Sequence, residues 1–170
     1  RLPQEDFCQA TGVPARSKYE NDGGPGMGAC LSLLNGSQDA AADKLRFALA
    51  QLAFWLLAAI DGHAKNFSIF VLPRGAFRAT PLYDVLSAWP IIGDGPNQMP
   101  LQRAKMAMAL RSSNTHYRLN EIEARHWRQL AAQTGVAGAF DAMKALVDSV
   151  PTALERAQAQ LPDRFPSKVW

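Results

Sequence analysis

The sequence predicts a mainly α-helical domain of the α+β class with one small β-hairpin. Three observations carry this. The run from Phe47 to Ile60 has no charged residue and is apolar nearly all round, the pattern of a helix enclosed on every side. Residues 67–80 read as a strand (FSIFVL), a turn (PRG) and a return strand (AFRAT), because β-branched and aromatic residues flank a Pro-Gly turn signal. Beyond Pro100 the apolar residues recur at helical spacing.

The elements follow in order. Pro3 to Ala10 has a short helical pattern. The stretch TGVPARSKYENDGGPG (11–26) holds two prolines and four glycines, so it is a loop or a series of turns. Pro25 opens a helix that runs to Leu34, where NGS stops it. Ser37 or Asp39 caps the next helix, Asp39 to Ile60, with Asp43 near its first turn. Asp61 and Gly62 break that helix, the hairpin follows, and Pro81 ends it. Ile91 to Pro100 is irregular. Four helices complete the chain: Leu101–Leu110, Asn120–Thr134, Val136–Asp148 and Thr152–Gln160.

At 170 residues, with 48% hydrophobic and 19% charged, the chain is expected to form one domain with a real core. A net charge of +3 tolerates a polyanionic partner without demanding one. Cys8 and Cys30 make neither a disulfide framework nor a zinc pattern. A reducing, cytoplasmic setting is therefore expected. The apolar run is too short to cross a bilayer, so no membrane role is expected. The chain opens at Arg1 instead of Met, as a piece of a longer protein would.

The chemistry concentrates in DGHAKN, residues 61–66, between the apolar helix and the hairpin. Taken alone, Asp-Gly is a helix stop, and Lys and Asn fill exposed loops. Spacing argues for more. Asp61 and Asn66 stand as D-x-x-x-x-N, the interval of a kinase catalytic loop. There the Asp accepts the substrate hydroxyl proton and the Asn holds Mg²⁺. Lys65 lies between them as a point charge for a phosphate. Asp84, in LYDV after the hairpin, supplies the second carboxylate such a site needs. One Asp, one Asn and the phosphates satisfy Mg²⁺, which keeps several waters.

Four blocks, LPQEDFCQ, KYENDGGPG, DGHAKNFSIF and TPLYDVLSAWP, together resemble the HipA family of bacterial serine/threonine kinases, the toxin halves of HipA–HipB pairs. The likeness is dense over about the first ninety residues and looser beyond. It implies that residues 1–170 form the C-terminal, helical lobe of a protein-kinase-like fold. It implies Asp61 as catalytic base, Asn66 and Asp84 as metal ligands, and His63, Ala64, Lys65, Asn66, Tyr83 and Asp84 at the ATP site. ATP and Mg²⁺ are the implied cofactors. The implied partners are a HipB-like antitoxin, operator DNA reached through it, and a protein substrate such as an aminoacyl-tRNA synthetase.

Relative to eukaryotic protein kinases, Ala59 and Ile60 replace the His-Arg before the Asp, and Val85 replaces Phe-Gly after Asp84. HipA-like proteins share both departures. The family's ATP-binding lobe, with its strand lysine and regulatory serine, would precede Arg1, so this chain alone is expected to be inactive. By the resemblance KYENDGGPG matches a family loop near the active cleft, without roles for its individual residues. Its plain reading, and the one expected, is a turn into a helix, since no Walker Gly-Lys-Ser/Thr follows.

A catalytically silent lobe that binds an antitoxin and DNA is the alternative, and a small-molecule or lipid kinase of similar fold is another. Arg103, Lys105, Arg111, Arg118, Arg125 and Arg128 form a basic stretch, read as a solvated face, with contact to DNA phosphates as the alternative and no single residue assigned to it. His116 and His126 are expected on the surface or on a helix. Trp89, Phe140, Leu146, Met99, Met106 and Met108 are expected to pack in the core.

Overall fold

The computed structural model describes residues 2–166 and 169; Arg1, where the sequence opens, lies outside them, as do Ser167, Lys168 and Trp170. The expected hairpin is present as Ser68–Val71 (β2) and Phe77–Ala79 (β3). A third strand joins it, because Gln4–Asp6 (β1) pairs antiparallel with β2. Glu5 faces Ile69, and Ile69 faces Ala79. Pro3 to Ala10 is therefore not one helix. The edge of β2 takes its first half, and Asp6 caps the single turn Phe7–Ala10 (α1). The Asp6 carboxylate accepts from the Gln9 N–H at 2.9 Å, and the Gln9 side chain accepts from the Asp6 N–H at 2.9 Å, the reciprocal arrangement of a capping box.

Met27–Leu34 (α2) and Ala40–Leu56 (α3) are the next helices. On α3, Phe47, Ala48, Ala50, Leu52 and Phe54 are buried, so the enclosed helix is the centre of the domain. It stops at Leu56, short of the expected Ile60, where Ala58 turns with φ +48°. Trp89 is not in the core. It is 47% exposed, and its indole N–H donates to the Leu56 carbonyl at 2.8 Å, satisfying an orphan acceptor at the helix end.

Four phenylalanines knit the core beneath the polar cluster. The Phe67 ring lies 4.9 Å from Phe47, 5.6 Å from Phe54 and 5.7 Å from Phe7, between centroids. Burial of each such ring contributes about 1.5–3 kcal/mol. Phe67 directly follows Asn66, so packing pins the end of the 61–66 loop. Asp43 is buried as well. Its carboxylate accepts from the Ser37 hydroxyl at 2.5 Å and the Ala79 N–H at 2.8 Å, tying β3 to α3.

The second half departs most from expectation. Lys105–Arg111 (β4) is a strand instead of part of a helix, paired antiparallel with Thr115–Arg118 (β5). Its Met, Ala and Leu residues are good helix formers, but tertiary pairing overrides that preference. Met106 and Met108 are buried as expected, and Met99, Phe140 and Leu146 pack partly buried against the core. Helix α4 spans Ala124–Thr134, and the two helices expected after it are one, Ala139–Ala159 (α5), with Pro151 inside. Pro151 leaves the Val147 carbonyl without its helical donor, on a stretch where Val147 is 43% exposed. Among the described residues no helix is long and apolar enough to cross a membrane.

Candidate active site

The 61–66 loop leaves α3 through a tight turn and folds Ala64–Asn66 into a single 3₁₀ turn before β2. Asn66 is 2% exposed and makes two bonds that shape the loop. Its Oδ1 accepts from the His63 N–H at 3.1 Å, and its Nδ2 donates to Asp84 Oδ2 at 2.7 Å. The hairpin thus returns the chain 18 residues later to the same point. Asp84 has φ +56°, a left-handed conformation that Asp tolerates better than most residues. Asp61, Gly62 and Asp84 share one small cleft with Phe54, Ala59 and Leu86.

The other residues singled out in the sequence occupy distinct places. The Lys65 ammonium is held by Asp6 Oδ2 at 2.5 Å, and this bond raises its pKa. The Tyr83 hydroxyl donates to the Lys65 carbonyl at 2.7 Å and also meets the Ser68 hydroxyl. Ala64 is fully buried. His63 is 5% exposed and its Nδ1 has no hydrogen-bond partner. Asp61 is the accessible member, with its side chain 65% exposed.

Sequence reasoning missed two partners. The Tyr19 hydroxyl donates to Asp61 Oδ1 at 2.6 Å, and its ring meets His63 edge-on at 5.1 Å. KYENDGGPG is thus more than a turn into a helix: it closes over the Asp61 loop. Asp6, in LPQEDF, is the second. Both lie in the blocks quoted above, and the resemblance puts the Tyr19 loop near the cleft, but neither residue had a role assigned, since each partner is far away along the chain.

The donor set fits a hard divalent cation. A carboxylate and a carboxamide stand side by side, and the Asn66 carbonyl keeps a second lone pair beside its bond to His63. Both offer oxygen, the ligand that Mg²⁺ prefers. Among the described residues no group of three or more His, Cys, Asp or Glu is placed to hold a metal, so such an ion would need oxygens from its substrate.

The histidines give a pH dependence. His126 is on a helix as expected, yet it is 1% exposed, with its ring stacked on His116 at 4.1 Å. Burial, then His116 and Arg125, push its pKa below the ordinary value, while Glu123 opposes them. Burial also lowers His63. The unfolded chain therefore binds these protons more readily, and stability rises with pH in that window. The stability is present above the ordinary histidine pKa of about 6.5 and is lost as pH falls through the lower folded values. Melting temperature should drop on acidification from pH 7 to 5.5, and His126→Asn should flatten that slope. An unchanged slope in the variant would reject His126 as a source.

The basic stretch is exposed as expected. Arg111 pairs with Glu20, Arg118 with Glu121 at 3.0 Å, and Arg125 with Glu123 at 3.2 Å.

Comparison with known proteins gives the family and the fold. The Sinorhizobium fredii protein Y4mE, whose name proposes a kinase, is 35% identical over 168 residues, covering 97% of this chain and 37% of that protein. A chain in the Shewanella oneidensis MR-1 structure of the toxin–antitoxin proteins HipA and HipB with operator DNA superposes with a TM-score of 0.82. It is 21% identical and shares the fold over 99% of this chain and 40% of its own length. This chain thus spans about two-fifths of the proteins it matches. The family described as HipA-like C-terminal domain matches residues 1–158. The chain belongs to the HipA-like C-terminal domain family.

Proposed function

We propose that this chain is the catalytic-loop lobe of a two-lobe serine/threonine protein kinase that works as the toxin of a type II toxin–antitoxin system. The observation that carries the reading is the pairing of Asn66 with Asp84 at 2.7 Å, on the loop that presents the exposed Asp61. In the proposed reaction Asp61 accepts the proton of a serine or threonine hydroxyl. The hydroxyl oxygen bonds to the γ-phosphorus of ATP, and the bond from that phosphorus to the β–γ bridging oxygen breaks, releasing ADP.

Asn66 and Asp84 would hold Mg²⁺, which supplies charge neutralisation at the phosphates when bound. The Lys65 ammonium has three N–H donors, so it can contact a phosphate while still bonded to Asp6. His63, buried beneath the loop with its Nδ1 unpartnered, would border the nucleotide site, and Tyr83 holds the Lys65 carbonyl in place. Ala64, fully buried, acts as a packing residue under the ATP site.

The partners proposed are a HipB-like antitoxin, operator DNA through that antitoxin, and a protein substrate of the aminoacyl-tRNA synthetase class. The Shewanella assembly of HipA, HipB and DNA supports the first two. A reducing, cytoplasmic setting is consistent with Cys8 and Cys30, both buried and unbridged.

Half of the phosphate cradle belongs to an ATP-binding lobe, so activity needs both lobes. Labelled-phosphate transfer from ATP should appear when this chain is joined to such a lobe and be absent from the chain alone. Mg-ATP should barely raise the melting temperature of the lone chain. Absence of transfer in a folded joined form would sink the kinase reading and favour the binding-module one.

A further inference from the structure

Tyr19 and Glu20 are adjacent in the chain but grip different parts of the molecule. The Tyr19 hydroxyl reaches Asp61 Oδ1 at 2.6 Å, and His63 Nε2 lies 3.9 Å from the same oxygen. Oδ2 of Asp61 has no hydrogen-bond partner among the described residues. One carboxylate oxygen is therefore occupied and the other is left to the outside. The Tyr19 ring is not loose: it makes a T-shaped contact with the buried His63 ring, and the Lys18 ammonium sits 4.9 Å from its centroid.

Glu20 is the anchor. Its side chain is only 7% exposed, and its carboxylate accepts from the Ala109 N–H of β4 at 2.6 Å and from the Arg111 guanidinium. The loop closes around it at Gly26, where a Cβ would come within 2.3 Å of the Glu20 carboxylate. A buried carboxylate with charge-assisted partners is costly to displace. The loop is thus tied to β4 at one residue and to the loop bearing Asp61 at the next.

We propose that Tyr19 is a positioning residue that orients the carboxylate of Asp61, with Oδ1 held and Oδ2 open to the substrate hydroxyl, and that Glu20 holds Tyr19 there from β4. This deepens the kinase reading and rests on it. Misplacing a reacting group by about 1 Å can cost up to a hundredfold in rate, so the arm acts on turnover and not on substrate affinity. It also joins the β4–β5 hairpin mechanically to the catalytic base.

The test uses this chain joined to its ATP-binding lobe, with a mixture of serine- and threonine-centred peptides as acceptor. Tyr19→Phe removes one oxygen, and kcat should fall about ten- to a hundredfold while KM for ATP and peptide stays within about twofold. Glu20→Gln places an amide N–H among the donors of β4, and its kcat should fall in the same direction by a smaller factor. An unchanged or raised kcat in Tyr19→Phe overturns the proposal, a rise meaning that the tyrosine blocks the base instead of aiming it.

A second readout does not depend on activity. The bond to Asp61 pushes the Tyr19 hydroxyl up to about 12, against about 10 for an ordinary phenol. With ¹³Cζ-tyrosine, the Tyr19 resonance should remain that of a neutral phenol at pH 10.5, and Asp61→Asn or Glu20→Gln should shift it toward phenolate. A Tyr19 that ionises near the ordinary phenol value of about 10 in the wild type overturns the proposal whether or not phosphate is transferred. A neutral Tyr19 in a protein without transfer supports the arm and rejects only the kinase reading.

Discussion

Asp61→Asn, made in this chain joined to an ATP-binding lobe, is expected to slow phosphate transfer about 10²–10⁴-fold, the range for loss of general-base catalysis. The substitution is close to isosteric. Its carboxamide oxygen can still accept from Tyr19, so the loop should keep its shape. A carboxamide does not take up a proton at neutral pH, and the attacking hydroxyl would have to lose its proton to water. The melting temperature should change little, because the Asp61 side chain is 65% exposed and borders solvent. Surface substitutions of that kind stay within about 0.5 kcal/mol. A variant that folds like the wild type and keeps its transfer rate within a factor of a few would show that Asp61 is not the base. The same variant separates catalysis from recognition, since binding to an antitoxin should survive it.

What the sequence revealed follows the distance over which each interaction acts. Asp61 and Asn66 were legible because one short loop and one 3₁₀ turn contain both. Asp84 was legible as the next carboxylate in chain order, since a hairpin returns the chain to its start. Its contact with Asn66 is the structure's addition. The role of Tyr19 was not legible, although the resemblance puts its loop near the cleft: it lies 42 residues from Asp61, among glycines and prolines that by themselves signal only turns. The grip of Asp6 on Lys65 spans 59 residues and was hidden for the same reason.

The misread elements have local causes. Residues 106–110 are all buried, with no alternation of polar and apolar residues to announce a strand. A strand covered on both faces cannot be told from a buried helix by periodicity. Only THYR, its β-branched and aromatic partner, hinted at the hairpin. Pro151 separates the two expected helices because an interior proline normally ends a helix, yet α5 runs through it. Trp89 is by default a core or packing residue. It serves instead as a cap on α3, a role that depends on the Leu56 carbonyl being left over.

Gly62→Ala is expected to damage both the stability and the activity of the site through one added methyl group. A Cβ at Gly62 would lie 2.2 Å from Phe54 Cδ2 and 2.5 Å from Cε2. The ring cannot give way freely: Phe54 is 2% exposed and packs on Phe67, which in turn packs on Phe47 and Phe7. Either the aromatic cluster shifts or the loop lifts away from it. Overpacking of this kind costs about 1–3 kcal/mol, occasionally more. At the melting point of a domain this size that is a drop of several degrees. Lifting the loop would also carry Asp61 away from Tyr19 and the His63–Asn66 pair away from Asp84. Transfer should therefore fall further than the stability loss alone explains. Phe54→Leu supplies the control, because it makes room where the methyl would enter. Alone it should destabilise by leaving a cavity, but in the double variant Gly62→Ala should cost much less than in the wild-type background. Additive losses in that cycle would show that the ring is not what requires glycine at this position.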